Sequence, residues 1–172
     1  MVLFISTKKS QIWSIEFIVA LIIFISALFI FYKYSINLSD IQEVTLKELI
    51  IDAKTISNYL MSEGMPKDWN TSNVITIGLT DGKYRLNETK LGNFSELNYS
   101  TTKRLFSVIN DYYIFFEDKN GTGLIINDIE GIGKPGVTKT NLNETENPSD
   151  ILKVFRFVIY NSTIIRMGIY LW

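Results

Sequence analysis

The sequence predicts an α+β protein in which a long N-terminal hydrophobic helix is followed by an antiparallel β-sheet head. Three observations predict this fold class. Residues 17–32 carry no charged side chain, residues 40–62 show apolar positions at helical spacing, and three pairs of apolar runs further on flank short turn sequences. The 172 residues leave room for one membrane segment and one head of roughly 100 to 130 residues.

The uncharged run is long enough to cross a bilayer. As a helix, residues 17–32 span about 24 Å, and adding residues 12–15 gives about 30 Å, the thickness of a bilayer core. A secretory signal peptide has a shorter apolar region that ends in small residues, and no such site follows Tyr32. We therefore expect residues 11–38 to remain attached as a transmembrane helix, with membrane lipid as its partner.

The charges on either side of this run predict its orientation. Lys8 and Lys9 precede the run, whereas the segment that follows it mixes one lysine with two carboxylates. The positive-inside rule then places the N-terminus in the cytoplasm and the head, residues 39–172, outside the cell.

Glu16 stands at the beginning of the uncharged run. A carboxylate at the centre of a bilayer helix costs about 2.5 to 3.5 kcal/mol on insertion scales. Two explanations are open from the residues alone. Glu16 lies at the cytoplasmic interface, where water and headgroups solvate it, or it is paired with a positive charge from another chain.

The stretch KKSQ at residues 8–11, followed by SIEF at residues 14–17 and an immediate hydrophobic run, resembles the class III signal peptide of archaeal type IV pilin-like proteins. The chain has serine where that family usually has glycine, and its glutamate lies one position further from the glutamine than usual. The residues that the resemblance assigns to processing and assembly are Lys8, Lys9, Ser10, Gln11, Glu16 and Phe17.

This resemblance implies a function. A prepilin peptidase would cut on the cytoplasmic side just before Gln11 and remove the leader, residues 1–10. The retained helix would become the packing core of a filament made with other pilin-like subunits, and Glu16 would meet the new N-terminal amine of a neighbouring subunit. Two alternatives are open: a non-polymerising single-pass surface protein whose head binds a ligand or the cell envelope, and a membrane-tethered hydrolase.

The head is predicted to begin with a second helix. Residues 35–39, SINLS, interrupt the apolar pattern, and Ser39 and Gln42 have the spacing of a capping box. Gly64 and Pro66 mark the end of this helix, which we place at residues 40–62. The apolar face predicted to pack on the head consists of Leu46, Leu49, Ile50, Ala53, Ile56 and Leu60.

The rest of the head is predicted to be mainly strands. Three turn sequences predict hairpins: Asp81-Gly82, the Lys-Asn-Gly at residues 119–121, and Asn161-Ser162. A short helix is expected from Ser100 as N-cap. Residues 130–150 are rich in Gly, Pro, Asn and Thr, and are predicted to form a long loop.

Glycosylation sequons are unusually frequent in this chain. Eight Asn-x-Ser/Thr sites occur, whereas the composition gives roughly two by chance. Such a site is used only outside the membrane and in exposed backbone, which agrees with an extracellular head. The residue Asn37 is too close to the bilayer, so the candidate sites are Asn70, Asn87, Asn93, Asn98, Asn120, Asn143 and Asn161.

Composition excludes several kinds of chemistry. The net charge of −1 gives no basic surface for nucleic acid. Because the sequence contains neither cysteine nor histidine, disulfides, thiolate nucleophiles, imidazole bases and zinc sites with Cys or His ligands are excluded.

The remaining candidates for chemistry are carboxylates and one glycine-rich loop. The loop at residues 131–136 lacks the Lys-Ser/Thr of a phosphate-binding loop. The carboxylates are better explained as solvated hairpin charges, and we predict no catalytic residue, no metal site, no cofactor and no enzyme activity. The carboxylates considered are Asp111, Glu117, Asp118, Asp128 and Glu130.

Overall fold

The computed structural model describes residues 8–172, without the side chains of residues 8–14 and 36–45. The chain forms two compact units, Met1–Thr45 and Leu46–Trp172. The first described element, helix α1, runs from Lys8 to Leu60.

The α+β class predicted from the sequence is confirmed. After α1 come five strands and three short helices, and every strand pairing in the sheet is antiparallel. Strands β5 and β1 are central, β4 lies at one edge, and β2 and β3 both pair with β1 at the other edge. The elements are α2 (Glu88–Glu96), α3 (Tyr99–Phe106), β1 (Tyr112–Glu117), β2 (Gly123–Leu124), β3 (Gly131–Gly133), α4 (Leu142–Glu146), β4 (Leu152–Tyr160) and β5 (Thr163–Leu171).

The predicted interruption of the helix at residues 35–39 is not found. Helix α1 continues through this segment, so Ser39 is not an N-cap. The segment contains neither glycine nor proline, and serine and asparagine cost less than about 0.7 kcal/mol each inside a helix. The helix-forming sequences on both sides are therefore enough to keep residues 35–39 helical.

Two of the three predicted hairpins are confirmed. Asn161 and Ser162 both have positive φ, 47° and 62°, as a two-residue type I′ turn requires, and they join β4 to β5. The turn at residues 119–121 joins β1 to β2, where the carboxylate of Asp118 accepts hydrogen bonds from the N–H groups of Asn120 and Thr122, both at 2.8 Å.

The third predicted hairpin forms its turn but not its strands. Around Asp81 only a single bridge, Thr80 to Leu86, is made. The backbone of the preceding segment is used elsewhere, because the N–H of Leu79 donates to the carbonyl of Leu60 and the N–H of Met65 to that of Thr76. The end of α1 and the segment that follows it thus take hydrogen bonds that a second strand would need.

The short helices also differ from expectation. Helix α3 is capped by Asn98 rather than Ser100, and α2, with Asn87 as N-cap, was not predicted. The predicted loop at residues 130–150 contains β3 and α4.

The inner face of the sheet packs on the last turns of α1. Leu49, Ala53, Ile56 and Leu60 are all at most 1 % exposed and form one cluster with residues from the strands and from α2 and α3. The predicted apolar face of the helix is correct in these four residues and wrong in two, because Leu46 and Ile50 are exposed.

The outer face of the sheet is only partly covered. Val137 and Leu142, from the segment that follows β3, pack there with Tyr113, Phe115 and Tyr170. Gly168 makes this packing possible, since a Cβ at that position would lie 2.4 Å from the ring of Phe115. The cover does not reach the outer side chains of β4 near its hairpin end.

We predict that a chain lacking residues 1–38 folds into a soluble head, because the whole hydrophobic core lies within Leu46–Trp172. Far-ultraviolet circular dichroism and a cooperative thermal transition measure this. A chain lacking residues 1–56 is the matched control, since it also loses Leu49, Ala53 and Ile56 and should not unfold cooperatively. An unfolded head in the chain that lacks only residues 1–38 would contradict the two-unit organisation.

Candidate functional site

The most distinctive surface is the apolar part of α1, Ile15–Ser35. Its 21 residues have a mean hydropathy of 2.7, and none of its side chains is buried by the rest of the described chain. By length and composition this helix could cross a membrane. An apolar surface of this size needs lipid or protein to cover it, because water leaves it unfavourably hydrated.

Two polar side chains lie in this surface before its C-terminal end. Ser26 donates its hydroxyl to the carbonyl of Ile22 at 2.8 Å, so its hydrogen-bonding capacity is met within the helix. Glu16 is exposed in the first turn of the segment, beside the exposed ring of Phe17. Lys8, Lys9, Ser10 and Gln11 lie in the first turns of α1, and their side chains are outside the described part of the structure.

A buried carboxylate fixes the last turns of α1 within the head. Asp52, on the stripe of the helix that faces the sheet, accepts hydrogen bonds from the N–H groups of Ile109 and Asn110, both at 3.1 Å. The side-chain amide of Asn110 donates to the same oxygen at 2.9 Å. Hydrogen bonds to charged groups contribute about 1.5 to 3 kcal/mol each. Sequence reasoning missed Asp52, although a carboxylate on an apolar stripe is a detectable signal.

A second contact joins the same part of α1 to the edge strand. Arg156 of β4 donates its Nε to the hydroxyl of Ser57, and its terminal nitrogen lies 3.4 Å from the amide oxygen of Asn58. The inward side of β4 is therefore bound to the helix by a charged side chain as well as by apolar packing.

Two of the candidate carboxylates are used in ion pairs. Asp111 contacts Lys103 at 2.7 Å, Lys134 at 2.9 Å and the hydroxyl of Tyr99 at 2.9 Å. Burial by itself would raise the pKa of Asp111, but the hydrogen bonds from these three groups outweigh burial and hold the pKa below its ordinary value. Lys134 also pairs with Glu146, which raises the pKa of the lysine.

Glu117 is the most buried carboxylate of the outer sheet face, at 4 % exposure. It pairs with Arg166 at 2.9 Å and with Lys139, whose ammonium also donates to the carbonyl of Gly121. Lys134 and Lys139 both belong to the segment between β3 and α4, so these ion pairs hold that segment over the sheet.

The other candidates for chemistry have structural explanations. Asp118 stabilises its hairpin turn, and Asp128 and Glu130 lie exposed on the connection before β3. Gly131 belongs to β3, where a Cβ would lie 2.3 Å from the hydroxyl of Tyr113, so close packing accounts for this glycine. Among the residues described, no group of three Asp or Glu side chains could hold a metal ion.

A cleft of about 710 Å³ beside the first turn of α2 was not predicted. Lys90 lines it with its ammonium almost buried, donating to the carbonyls of Glu63 at 2.6 Å and Thr80 at 3.2 Å. Burial lowers the pKa of Lys90. Both carbonyls are backbone groups, so this lysine ties α2 to the segment that follows α1 and to the residue before the turn at Asp81.

The candidate glycosylation sites fall into two groups. Asn87 and Asn93 are partly buried, and their side chains are in use: the amide oxygen of Asn87 accepts from the N–H of Lys90, and the amide nitrogen of Asn93 donates to the carbonyl of Trp69. The exposed sites are Asn70, Asn98, Asn120, Asn143 and Asn161.

Comparison with family models, with curated proteins and with solved structures gives no match to this chain. Its function is therefore inferred from the residues and from their geometry.

Proposed function

We propose that the chain is a structural, pilin-like subunit of an extracellular filament. Its N-terminus lies in the cytoplasm, its head lies outside the cell, and a prepilin peptidase removes residues 1–10. One observation supports this above the others. A carboxylate, Glu16, stands in the first turn of the exposed apolar segment Ile15–Ser35, which begins shortly after the Lys-Lys-Ser-Gln sequence.

The exposed helix has two successive environments in this proposal. Before assembly, lipid covers Ile15–Ser35. In the filament, the same segments of neighbouring subunits cover one another, and the apolar surface remains out of water in both states. This exchange needs a surface that is apolar on all sides, and the side chains of Ile15–Ser35 are exposed all around the helix.

Glu16 sets the axial position of each subunit in this arrangement. Cleavage before Gln11 creates a new amine five residues ahead of Glu16 in the chain. A neighbour shifted along the filament axis can bring its carboxylate to that amine. Pairing offsets the cost of burying either charge, and an unpaired charge left in the apolar core would cost several kcal/mol.

A non-polymerising surface protein is the second candidate function. The observation that favours it is that the head has a complete core of its own, from Leu49 to Leu171, and needs no neighbour to close it. In that case Glu16 would be an interfacial residue, and the leader would remain on the protein.

Processing separates these two functions. For a pilin-like subunit, native protein purified from its own cells should begin at Gln11, with residues 1–10 absent. N-terminal sequencing, or mass spectrometry of the first tryptic or chymotryptic peptide, measures this. A protein that begins at Met1 or Val2 would rule out the proposed processing and leave the membrane-anchored alternative.

We also predict that Glu16→Gln leaves membrane insertion and cleavage intact but lowers incorporation into filaments. Glutamine keeps the size and hydrogen bonding of the side chain and removes only its charge. Loss of about 1.4 kcal/mol per contact corresponds to a factor of ten, so the ratio of filament-associated to membrane-associated protein should fall tenfold or more. Glu48→Gln is the matched control, because Glu48 is exposed on the same helix and should leave the ratio unchanged. An unchanged ratio for Glu16→Gln would place Glu16 at the interface.

An extracellular head should carry N-linked glycans at exposed sequons. We expect modification among Asn70, Asn98, Asn120, Asn143 and Asn161, with Asn93 unmodified because its amide nitrogen is bound to the carbonyl of Trp69. Mass spectrometry of head peptides measures occupancy site by site. Thr122→Ala is the control, since it removes the acceptor sequence of Asn120 and leaves the asparagine in place. Uniformly unmodified asparagines in native material would contradict the proposed modification.

A further inference from the structure

The free edge of β4 lacks a neighbouring strand along most of its length. At its far end, the N–H of Ile159 donates to the carbonyl of Tyr84 at 2.8 Å, and its carbonyl accepts from the N–H of Leu86 at 2.9 Å. The backbone groups of Ile159 thus point away from β5. Because a strand repeats every two residues, the N–H and C=O groups of Lys153, Phe155 and Phe157 point to the same side. Residues 84–86 reach only Ile159, so in the described chain this three-residue edge has no partner strand.

Apolar side chains lie directly beside this open edge. Phe155 and Phe157 are 41 % and 65 % exposed on the outer face of the sheet, and Ile164 of β5 is 64 % exposed next to them. The segment between β3 and α4, which covers part of the outer face, does not reach these residues. An open edge with aromatic side chains is a site for the addition of another strand.

We propose that β4 pairs with β4 of a second copy of this chain, antiparallel and around a two-fold axis at Phe155. In this register Phe155 faces Phe155 of the other copy, and Lys153 faces Phe157 on each side. The three residues of each edge then form three hydrogen-bonded pairs with six backbone hydrogen bonds. The exposed phenylalanines of the two copies form one continuous apolar surface.

The charges on β4 support this register. Arg156, on the inner face, falls opposite Val154 of the second copy, and Lys153 falls opposite a phenylalanine ring, where a cation is favourable. A register shifted toward the hairpin places Arg156 opposite Arg156, which is unfavourable because the charges are alike.

The segment at residues 84–86 excludes the same shifted register. It already occupies the edge at Ile159, so a second strand cannot extend that far. In the proposed register the other copy's β4 begins at Leu152, which faces Val158, and the added strand ends just before the occupied position. A shift in the opposite direction moves Phe157 opposite residue 151, outside β4, and loses a pair. One register therefore uses all three free positions. The pairing requires neither cleavage before Gln11 nor a filament.

Disulfide trapping tests this pairing in the full-length protein in detergent micelles. The chain has no cysteine, so a single introduced thiol reports one position. In a hydrogen-bonded antiparallel pair the Cα atoms are about 5.5 Å apart, within the range of a disulfide. Phe155→Cys should form a disulfide-linked dimer under mild oxidation at least tenfold faster than Ile164→Cys. Ile164 lies on the same face and is the more exposed of the two positions, but it lies far from Ile164 of the second copy in the proposed dimer.

A second substitution identifies the edge as the cause. In the proposed register Phe157 of each copy faces Lys153 of the other copy. Adding Phe157→Lys to Phe155→Cys therefore places a lysine opposite Lys153 at both ends of the paired strands and should slow cross-linking tenfold or more. Adding Phe157→Leu should keep it within about twofold. The pairing is overturned if Phe155→Cys cross-links no faster than Ile164→Cys, or if Phe157→Lys has no effect on the rate. Both variants change only an exposed side chain, and circular dichroism checks that the fold is retained.

Discussion

The packing of the last turns of α1 against the sheet is the interaction on which the rest of the head depends. Four residues of the helix are buried on the inner sheet face, and the carboxylate of Asp52 lies on the same stripe. Apolar contacts alone would tolerate rotation and sliding of a helix on a sheet, because dispersion and hydrophobic burial are weakly directional. The three hydrogen bonds to Asp52 are directional. They fix which face of the helix meets the sheet and where along its axis the α3–β1 connection attaches.

This attachment determines how the two faces of the sheet are used. The inner face is filled by α1, α2 and α3, so only the outer face remains for the segment between β3 and α4. That segment is short and is held by charged contacts, Lys134 to Asp111 and Lys139 to Glu117, above the β1 and β5 side of the sheet. The segment does not extend from there across the outer face of β4. The outer residues of β4 stay exposed because no other described element is left to cover them.

The sequence predicted the features that depend on local signals. The turn at Asn161-Ser162 and the helix stop at Gly64 were placed correctly. Residues that accept positive φ form a turn or end a helix through their own backbone, without contacts from distant parts of the chain. The apolar run at residues 17–32 was also placed correctly as part of a long helix. Strand pairing around Asp81 was predicted wrongly, because the decisive hydrogen bonds come from the end of α1, about 20 residues away in sequence. Asp52 was missed for the same reason, since its partners lie almost sixty residues further on.

The asparagines show how one residue type can carry two signals. Asn87 and Asn98 each accept a hydrogen bond from the N–H of a residue in the first turn of the helix that follows, so helix capping explains two of the seven candidate sequons. Asn161 adopts positive φ in a turn where asparagine is favoured. Asn120 has a turn role as well, through its N–H bond to Asp118. Folding thus accounts for the presence of several asparagines, but it does not require serine or threonine two residues later. At Asn98 the cap uses the amide oxygen, so the exposed amide nitrogen stays available and the same residue can cap a helix and accept a glycan. At Asn120 the exposed amide nitrogen lies 3.4 Å from the carboxylate of Asp118, so a glycan there would replace only a long hydrogen bond at the surface.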